Sequence, residues 1–217
     1  MSLSERVHPT DLELAALISS KVCHDLVNPV GATNNGFEVL DSESDPNAKA
    51  YALDVIRSAS RQAAARLEFA RFAFGASGGA GTIIEMAKAQ EIARGVIEQS
   101  AKHKLMWHAG PAFMAKDKVK LLLNLIANSM TALPHGGQIH VTFEGTEASQ
   151  AFVIRCAGNR ARPPQHLPEF IIEQPTRPLD AINIQAYYTW RMAGAAKMRL
   201  SILMEGADIL VAAEPEG

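Results

Sequence analysis

The feature that most constrains this chain is a long run of apolar residues at helical spacing near its start. Apolar or small residues recur three and four positions apart, which is typical of a helix with one apolar face, at Leu12, Ala15, Ser19, Val22, Leu26, Val30, Thr33, Phe37 and Leu40. Thr10 and Glu13 match a capping box at the beginning of the run. The run predicts a helix of about thirty residues, roughly 45 Å long, with a bend at Pro29.

A second run of the same kind follows a turn cluster at 42–47. Its apolar face is predicted at Leu53, Ile56, Ser60, Ala63, Leu67, Ala70 and Phe74. Two long antiparallel helices of this kind form a hairpin whose narrow apolar seam stays uncovered. A second copy of the chain would cover the seam, so the sequence predicts a homodimer that contains a four-helix bundle.

The second half of the chain alternates between strand and helix patterns. We predict strands at 82–86, 104–108, 138–143, 151–157, 199–204 and 208–213, and helices at 87–103, 116–133 and 180–195. The proline-rich stretch 160–178 is predicted to be a loop. This order predicts an α/β sandwich with helices on one face of a mixed sheet. The predicted fold class is therefore α plus α/β.

A cluster of glycines separates the two halves. Four glycines lie within 75–81, and such a cluster is typical of a helix end followed by a flexible linker. We therefore predict a hairpin domain at 1–76, a linker at 77–81 and an α/β domain at 82–217.

Composition and charge exclude several kinds of partner. The formal net charge of −2 gives no strong field to attract nucleic acid or an anionic membrane. No apolar stretch approaches the ~20 residues that span a bilayer, and no secretory signal is visible, so we expect a cytoplasmic protein without membrane insertion. Cys23 and Cys156 lie in apolar runs and are predicted to be small buried residues rather than a disulfide. The isolated cysteines and scattered histidines show no metal-ligand spacing.

Reactive side chains are concentrated in segment 20–30, within the first predicted helix. His24 is followed by Asp25, and Lys21 and Asn28 share its helix face. Imidazole is nucleophilic near neutral pH; Lys21 would offset the charge of a transferred phosphoryl group, and Asn28 would donate a hydrogen bond. The segment resembles the H-box of two-component histidine kinases and histidine phosphotransferases. The resemblance implies that His24 carries a phosphoryl group and that Asp25 orients its ring or accepts its proton.

A second resemblance lies in 124–132. Asn124 and Asn128 match the asparagines of the kinase N-box, which help to hold the metal–triphosphate group. The match then breaks, because Cys156 stands where the kinases have an aspartate that reads adenine, and 179–184 lacks a glycine-rich phosphate loop. We therefore expect both asparagines to be structural, in a degenerate kinase ATPase-like domain that does not bind ATP.

Together these segments resemble ChpT-type histidine phosphotransferases of alphaproteobacteria over nearly the whole chain. The resemblance implies a dimeric phosphorelay protein, in which His24 accepts a phosphoryl group from the receiver domain of a hybrid histidine kinase and passes it to response regulators that control the cell cycle. It also implies that the receiver domain holds the Mg²⁺, so that this chain needs no cofactor or metal of its own. Receiver docking is expected one to two turns from His24, near Val27, Gly31 and Asn35.

Two other functions are compatible with the same residues. A histidine kinase with divergent glycine loops would bind ATP and phosphorylate its own His24. A non-catalytic dimeric adaptor would function normally after His24→Ala, although it would have no reason to keep the pair His24–Asp25.

Overall fold

Two long antiparallel helices form the N-terminal part of the fold, as predicted. The computed structural model describes residues 8–75, 81–99, 101–146, 149–172 and 177–216. Helix α1 spans Asp11–Ser42 and α2 spans Pro46–Ala73. The two helices approach closely at Gly36, where an added Cβ would meet Cγ1 of Ile56 at 2.5 Å. Most of the predicted linker, 77–81, lies outside the described residues.

Local capping explains where both helices begin. The Thr10 hydroxyl accepts a hydrogen bond from the Glu13 amide at 3.3 Å, and the Glu13 carboxylate accepts one from the Thr10 amide at 2.8 Å. This confirms the predicted capping box, and the hydrogen bond from the Thr10 backbone lowers the pKa of Glu13. At α2, the Asp45 carboxylate accepts from the Asn47 amide at 3.1 Å. Both caps satisfy amides that the first helical turn leaves without a partner.

The apolar face at the start of α1 differs from the prediction. Leu14, Leu17 and Ile18 pack against the hydrophobic core, whereas Leu12 is 81% exposed and Ala15 is exposed. The predicted face did not include these contacts because it considered the hairpin alone, while α1 also packs on the second half of the chain.

The second half contains the predicted strands and helices with shifts at their ends, of which the largest is that of the predicted helix 87–103, which ends at Ile97. The strands are β1 Ile83–Glu85, β2 His103–Trp107, β3 Phe113–Ala115, β4 Gly137–Glu144, β5 Ala151–Ala157, β6 Met198–Glu205 and β7 Asp208–Pro215. The helices are α3 Met86–Ile97, α4 Lys116–Met130, α5 Leu167–Ile171 and α6 Ile184–Ala195.

Two short elements and one helix start were missed. Strand β3 has three residues and α5 has five, too few to show a periodic pattern. Helix α5 lies in the predicted loop 160–178 and begins with Pro168 in its first turn, where proline is tolerated. Helix α6 starts later than predicted because Asp180 and Asn183 form a hydrogen-bonded turn before it, with both side chains accepting from backbone amides at 2.8–2.9 Å.

A mixed five-stranded sheet organises this half, as predicted. Its strand order is β2-β4-β5-β7-β6, with β2 and β4 parallel and the other pairs antiparallel. Strands β1 and β3 form a separate two-stranded sheet. Alternate residues of the central strands are fully buried, among them Ile139, Val141, Ile154, Ile209 and Val211.

The helical hairpin packs directly on this α/β half. Phe69 and Ala73 of α2 are buried in the same hydrophobic core as the sheet and its helices. Just before α1, the His8 ring stacks on Trp190 of α6, with the ring centroids 5.9 Å apart, and its Nδ1 lies 3.4 Å from the Tyr187 hydroxyl. The hydrophobic core is therefore continuous across the predicted domain boundary.

The two cysteines lie in different environments. Cys156 is buried, as predicted, and burial raises the pKa of its thiol to about 11. Cys23 is exposed, so its predicted burial is wrong: an apolar neighbourhood in sequence does not fix which helix face a residue occupies. Among the described residues, no helix is long and apolar enough to cross a membrane.

The buried face of α4 should be the most sensitive part of the fold. Leu122 is fully buried, so Leu122→Ala is expected to lower the free energy of unfolding by about 2–5 kcal/mol through lost contacts and a cavity. Urea denaturation followed by circular dichroism measures this change. Leu203→Ala, at a 61% exposed position of β6, is the matched control and should cost less than about 0.5 kcal/mol. Equal losses would contradict this assignment of the core.

Candidate active site

His24 presents an exposed imidazole near the middle of α1. Its side chain is 64% exposed, and its Nδ1 lies 3.5 Å from Oδ1 of Asp25. The other carboxylate oxygen of Asp25 accepts a hydrogen bond from the ammonium group of Lys21, one helical turn earlier. Within the described residues, Nε2 of His24 has no hydrogen-bond partner. The arrangement holds one ring nitrogen and leaves the other open to a reaction partner.

The structure brings together three of the four predicted site residues. Lys21, Asp25 and His24 form one connected group, in which Lys21 holds the carboxylate instead of lying free beside the ring. Asn28 is exposed one turn further along the helix. Of the residues predicted to dock receivers, Val27 is 65% exposed, and Asn35 is also exposed whereas Gly31 is half-buried.

A groove separates the hairpin from the α/β half next to this group. Its volume is about 260 Å³. The polar residues that line it come from both halves of the chain: Lys21, Asp25, Arg66, Gln99, Thr131 and Gln185. Apolar side chains from both halves of the chain line the rest of the groove: Val22, Leu26, Phe69, Ala70, Phe74, Val96, Ala127 and Met130. The candidate site therefore extends from the hairpin to the second half of the chain.

Arg66 connects the two sides of this groove and was missed by the sequence analysis. Its Nη1 donates to the backbone carbonyl of Asp25 at 2.6 Å, and its Nε donates to Oε1 of Gln99 at 3.2 Å. The Gln99 amide in turn donates to the carbonyl of Gln62 at 3.4 Å. No sequence motif marks Arg66; its partners lie more than thirty positions away along the chain.

The two N-box asparagines lie inside the protein, in agreement with the predicted structural role. Asn124 is fully buried, and its amide donates to the carbonyl of Ala73 at 3.1 Å and to that of Lys120 at 2.9 Å. Asn128 donates to the Asn124 carbonyl at 2.9 Å and to the Thr189 hydroxyl at 2.8 Å. These bonds join α4 to the end of α2 and to α6.

Helix α6 and strand β5 complete this polar cluster. Gln185 of α6 donates to Oδ1 of Asn124 at 3.4 Å. Cys156 of β5 is buried, and its thiol donates to the Ser129 carbonyl at 3.7 Å. A thiol with a pKa of about 11 is neutral at physiological pH, so this position supplies neither a carboxylate nor a thiolate to accept a hydrogen bond from an adenine amino group. Within the described parts of the chain, no group of three or more histidine, cysteine, aspartate or glutamate side chains is placed to hold a metal ion.

Comparisons with known proteins agree with this arrangement. A family model described as histidine phosphotransferase C-terminal domain matches residues 86–208. Protein phosphotransferase ChpT from Brucella abortus (strain 2308) is 40% identical over 204 residues, which cover 94% of this chain and 96% of that protein. The fold and these relatives define a protein that transfers phosphoryl groups through histidine. The chain belongs to the histidine phosphotransferase family and acts in a phosphorelay.

A solved structure confirms the predicted fold class. The "1.7 Angstrom Structure of a Bacterial Phosphotransferase" is 38% identical, covers 96% of this chain and 99% of its own, and superposes with a TM-score of 0.88. Full-length ShkA in complex with AMPPNP is 13% identical, covers 96% of this chain and 46% of its own, and has a TM-score of 0.49. The fold assignment therefore rests on the phosphotransferase.

The buried amide of Asn124 should matter for stability. Asn124→Ala removes the donor to two buried backbone carbonyls, so we expect a loss of about 1–3 kcal/mol in the free energy of unfolding. Urea denaturation measures the loss, and Asn35→Ala, at an exposed position of α1, is the control. A variant as stable as the wild type would show that these bonds do not hold the end of α2.

Proposed function

We propose that His24 is the phosphoacceptor of this phosphotransferase. The observation that carries the proposal is the exposed His24 ring, whose Nδ1 faces the Asp25 carboxylate while Nε2 points to no described residue. A histidine that relays phosphoryl groups needs an accessible nitrogen and a neighbour that holds the other one. Among the described histidines, His24 lies on the segment that resembles the H-box.

The reaction follows from this geometry. The lone pair of Nε2 attacks the phosphorus of an aspartyl phosphate on a receiver domain. The N–P bond forms as the O–P bond breaks, and the electron pair leaves with the receiver's carboxylate. Nδ1 keeps its proton, and the Asp25 carboxylate, held by Lys21, stabilises the positive charge that develops on the ring. The reverse chemistry delivers the phosphoryl group to the aspartate of a second receiver.

We propose the receiver domain of a hybrid histidine kinase as donor and response regulators as acceptors, which would place the reaction in the cytoplasm. The Mg²⁺ needed for both transfers would be held by the receivers, while this chain orients the imidazole. Positioning and electrostatics are most of what phosphoryl transfer requires from protein groups. Asn28 is accessible beside His24, where it would contact an incoming phosphoryl group.

We further propose that the protein does not use ATP. Asn124 and Asn128, which match the kinase N-box, donate four hydrogen bonds inside the protein from their side-chain amides. Turning the Asn124 amide toward a triphosphate would take the side-chain donor from the carbonyl of Ala73 at the end of α2, and the loss of such a buried hydrogen bond costs about 1–3 kcal/mol. Cys156 supplies no carboxylate for adenine. These observations favour a phosphotransferase over a kinase with divergent loops.

The exposed apolar side chains of the hairpin support the proposed homodimer. In a single chain, large apolar residues of α1 and α2 remain at least partly exposed: Leu12, Val27, Val30, Phe37, Val39, Tyr51, Leu53 and Leu67. So many apolar side chains on two neighbouring helices exceed the isolated apolar residues usual on a monomer's surface. Apart from Val27, which lies in the predicted receiver-docking region beside His24, pairing with a second hairpin would bury them in a four-helix bundle.

Phosphorylation of His24 is tested with two donors. We expect radiolabel to appear on the chain after mixing with a phosphorylated receiver domain and Mg²⁺, but not with [γ-³²P]ATP and Mg²⁺ alone. His24→Ala should abolish labelling, because no other residue replaces the nucleophile, whereas His135→Ala, at an exposed histidine, should leave it unchanged.

Each alternative function gives a different pattern. Labelling from ATP alone would identify a working kinase. Normal signalling in cells by His24→Ala, with no labelling of the wild type from either donor, would identify a non-catalytic adaptor.

Dimerisation is tested by a charge placed in the exposed seam. Phe37→Asp puts two carboxylates into the predicted bundle, and burial of a charge without a partner is strongly unfavourable. We expect light scattering after gel filtration to give twice the chain's mass for the wild type and a monomer for Phe37→Asp. Leu203→Asp, equally exposed on β6, should remain dimeric. A monomeric wild type would contradict the proposed bundle.

A further inference from the structure

Pro29 leaves one backbone carbonyl of α1 without its usual helical partner. In an α-helix, the carbonyl of residue 25 accepts a hydrogen bond from the amide of residue 29. Residue 29 is a proline inside the helix, so it has no amide hydrogen, and its ring also crowds the carbonyl four positions earlier. The carbonyl concerned belongs to Asp25, the residue whose carboxylate faces His24.

Arg66 of α2 supplies the missing donor. Its Nη1 lies 2.6 Å from the carbonyl oxygen of Asp25, a short distance typical of a hydrogen bond from a charged group. Its Nε holds Gln99 of the α/β half at 3.2 Å. The planar guanidinium thus bonds to both halves of the chain at once, which a lysine ammonium with its single nitrogen matches poorly.

The position of this carbonyl bears on the reacting ring. The peptide that Arg66 holds belongs to the residue whose carboxylate contacts Nδ1 of His24. That contact is 3.5 Å long, at the outer limit for a hydrogen bond, so a small movement of the Asp25 backbone would break it. A displacement of about 1 Å at a reacting group is enough to slow a reaction by up to 10²-fold.

We propose that Arg66 is a positioning residue for phosphotransfer: by holding the carbonyl that Pro29 leaves free, it fixes Asp25 against His24 and ties the phosphoacceptor turn to the α/β half through Gln99. The inference rests on the proposed role of His24. Arg66 acts through Asp25 and does not itself contact the phosphoryl group.

The test is a double-mutant cycle between Arg66 and Pro29. Arg66→Leu should lower the rate of phosphotransfer at saturating receiver by about 10-fold to 10²-fold, with little change in KM. In Pro29→Ala the amide of residue 29 can donate to the Asp25 carbonyl within the helix. Adding Arg66→Leu in this background should therefore slow transfer by no more than about threefold, because residues that share one partner are strongly coupled.

Arg66→Lys should recover part of the rate in the wild-type background. Arg57→Leu, at an exposed arginine of the same helix, is the matched control and should leave the rate unchanged.

Equal losses from Arg66→Leu in both backgrounds would overturn the proposal, because an arginine that binds the phosphoryl group or the receiver would be needed whether or not residue 29 has an amide. A rise in KM with an unchanged maximal rate would overturn it as well, since that result identifies a docking residue.

A second measurement separates this inference from the assignment of His24. Thermal unfolding needs no phosphoryl donor, and Arg66→Leu should lower Tm clearly in the wild-type background but much less in Pro29→Ala. If the effects of the two substitutions on Tm are coupled but wild-type His24 is not labelled, the assignment of His24 as phosphoacceptor and the catalytic part of the inference are wrong. The contact between Arg66 and the freed carbonyl would still stand. Labelled His24 with additive changes in Tm and in rate would overturn the inference alone.

Discussion

The shared core between the helical hairpin and the α/β half is the constraint on which the rest of the structure depends. Phe69 and Ala73 sit in the same apolar core as the sheet, and Asn124 binds the last carbonyl of α2 from the other side. This packing sets the distance across the groove beside His24. The same packing brings Gln99 of the α/β half within hydrogen-bonding distance of Arg66 on α2. A hairpin that moved freely on its linker could not keep such contacts, so the two halves work as one body around the candidate site.

The fate of the N-box asparagines shows how a ligand site and a structural site compete for the same side chains. An amide that binds a nucleotide must be open to solvent before the nucleotide arrives, whereas a buried amide needs protein partners at all times. Asn124 and Asn128 are of the buried kind, and their amides have hydrogen-bond partners on α2, α4 and α6. Gln185 and Thr189 of α6 occupy the space next to them. The proposed loss of ATP use and the firm attachment of the hairpin are therefore two results of one rearrangement.

Features that depend on neighbours in sequence were predictable. The pair Thr10 and Glu13 correctly marked the start of α1, and alternation of apolar residues located β5 without error. Features that depend on which surfaces meet were not. Exposed Cys23 was predicted to be buried because its sequence neighbours are apolar. The contact of Leu14, Leu17 and Ile18 with the core was missed because no sequence pattern indicated that the α/β half would cover this part of α1. Arg66 belongs to this second group: Pro29 shows that a donor is missing, but only the fold shows which side chain provides it.

Many bonds that join the helices to one another and to the α/β half end on main-chain oxygens. Arg66 binds the carbonyl of residue 25, Gln99 binds that of residue 62, and Asn124 binds that of residue 73. Every amino acid carries a carbonyl, so an acceptor position whose side chain has no other role tolerates any side chain of suitable size, while the donors cannot change without loss. Substitutions during evolution of this fold should therefore be more frequent at the acceptor positions than at the donor positions. Two homologues could differ at residues 62 and 73 and still keep the same architecture, and a comparison of side chains alone would overlook the hydrogen bonds that hold it together.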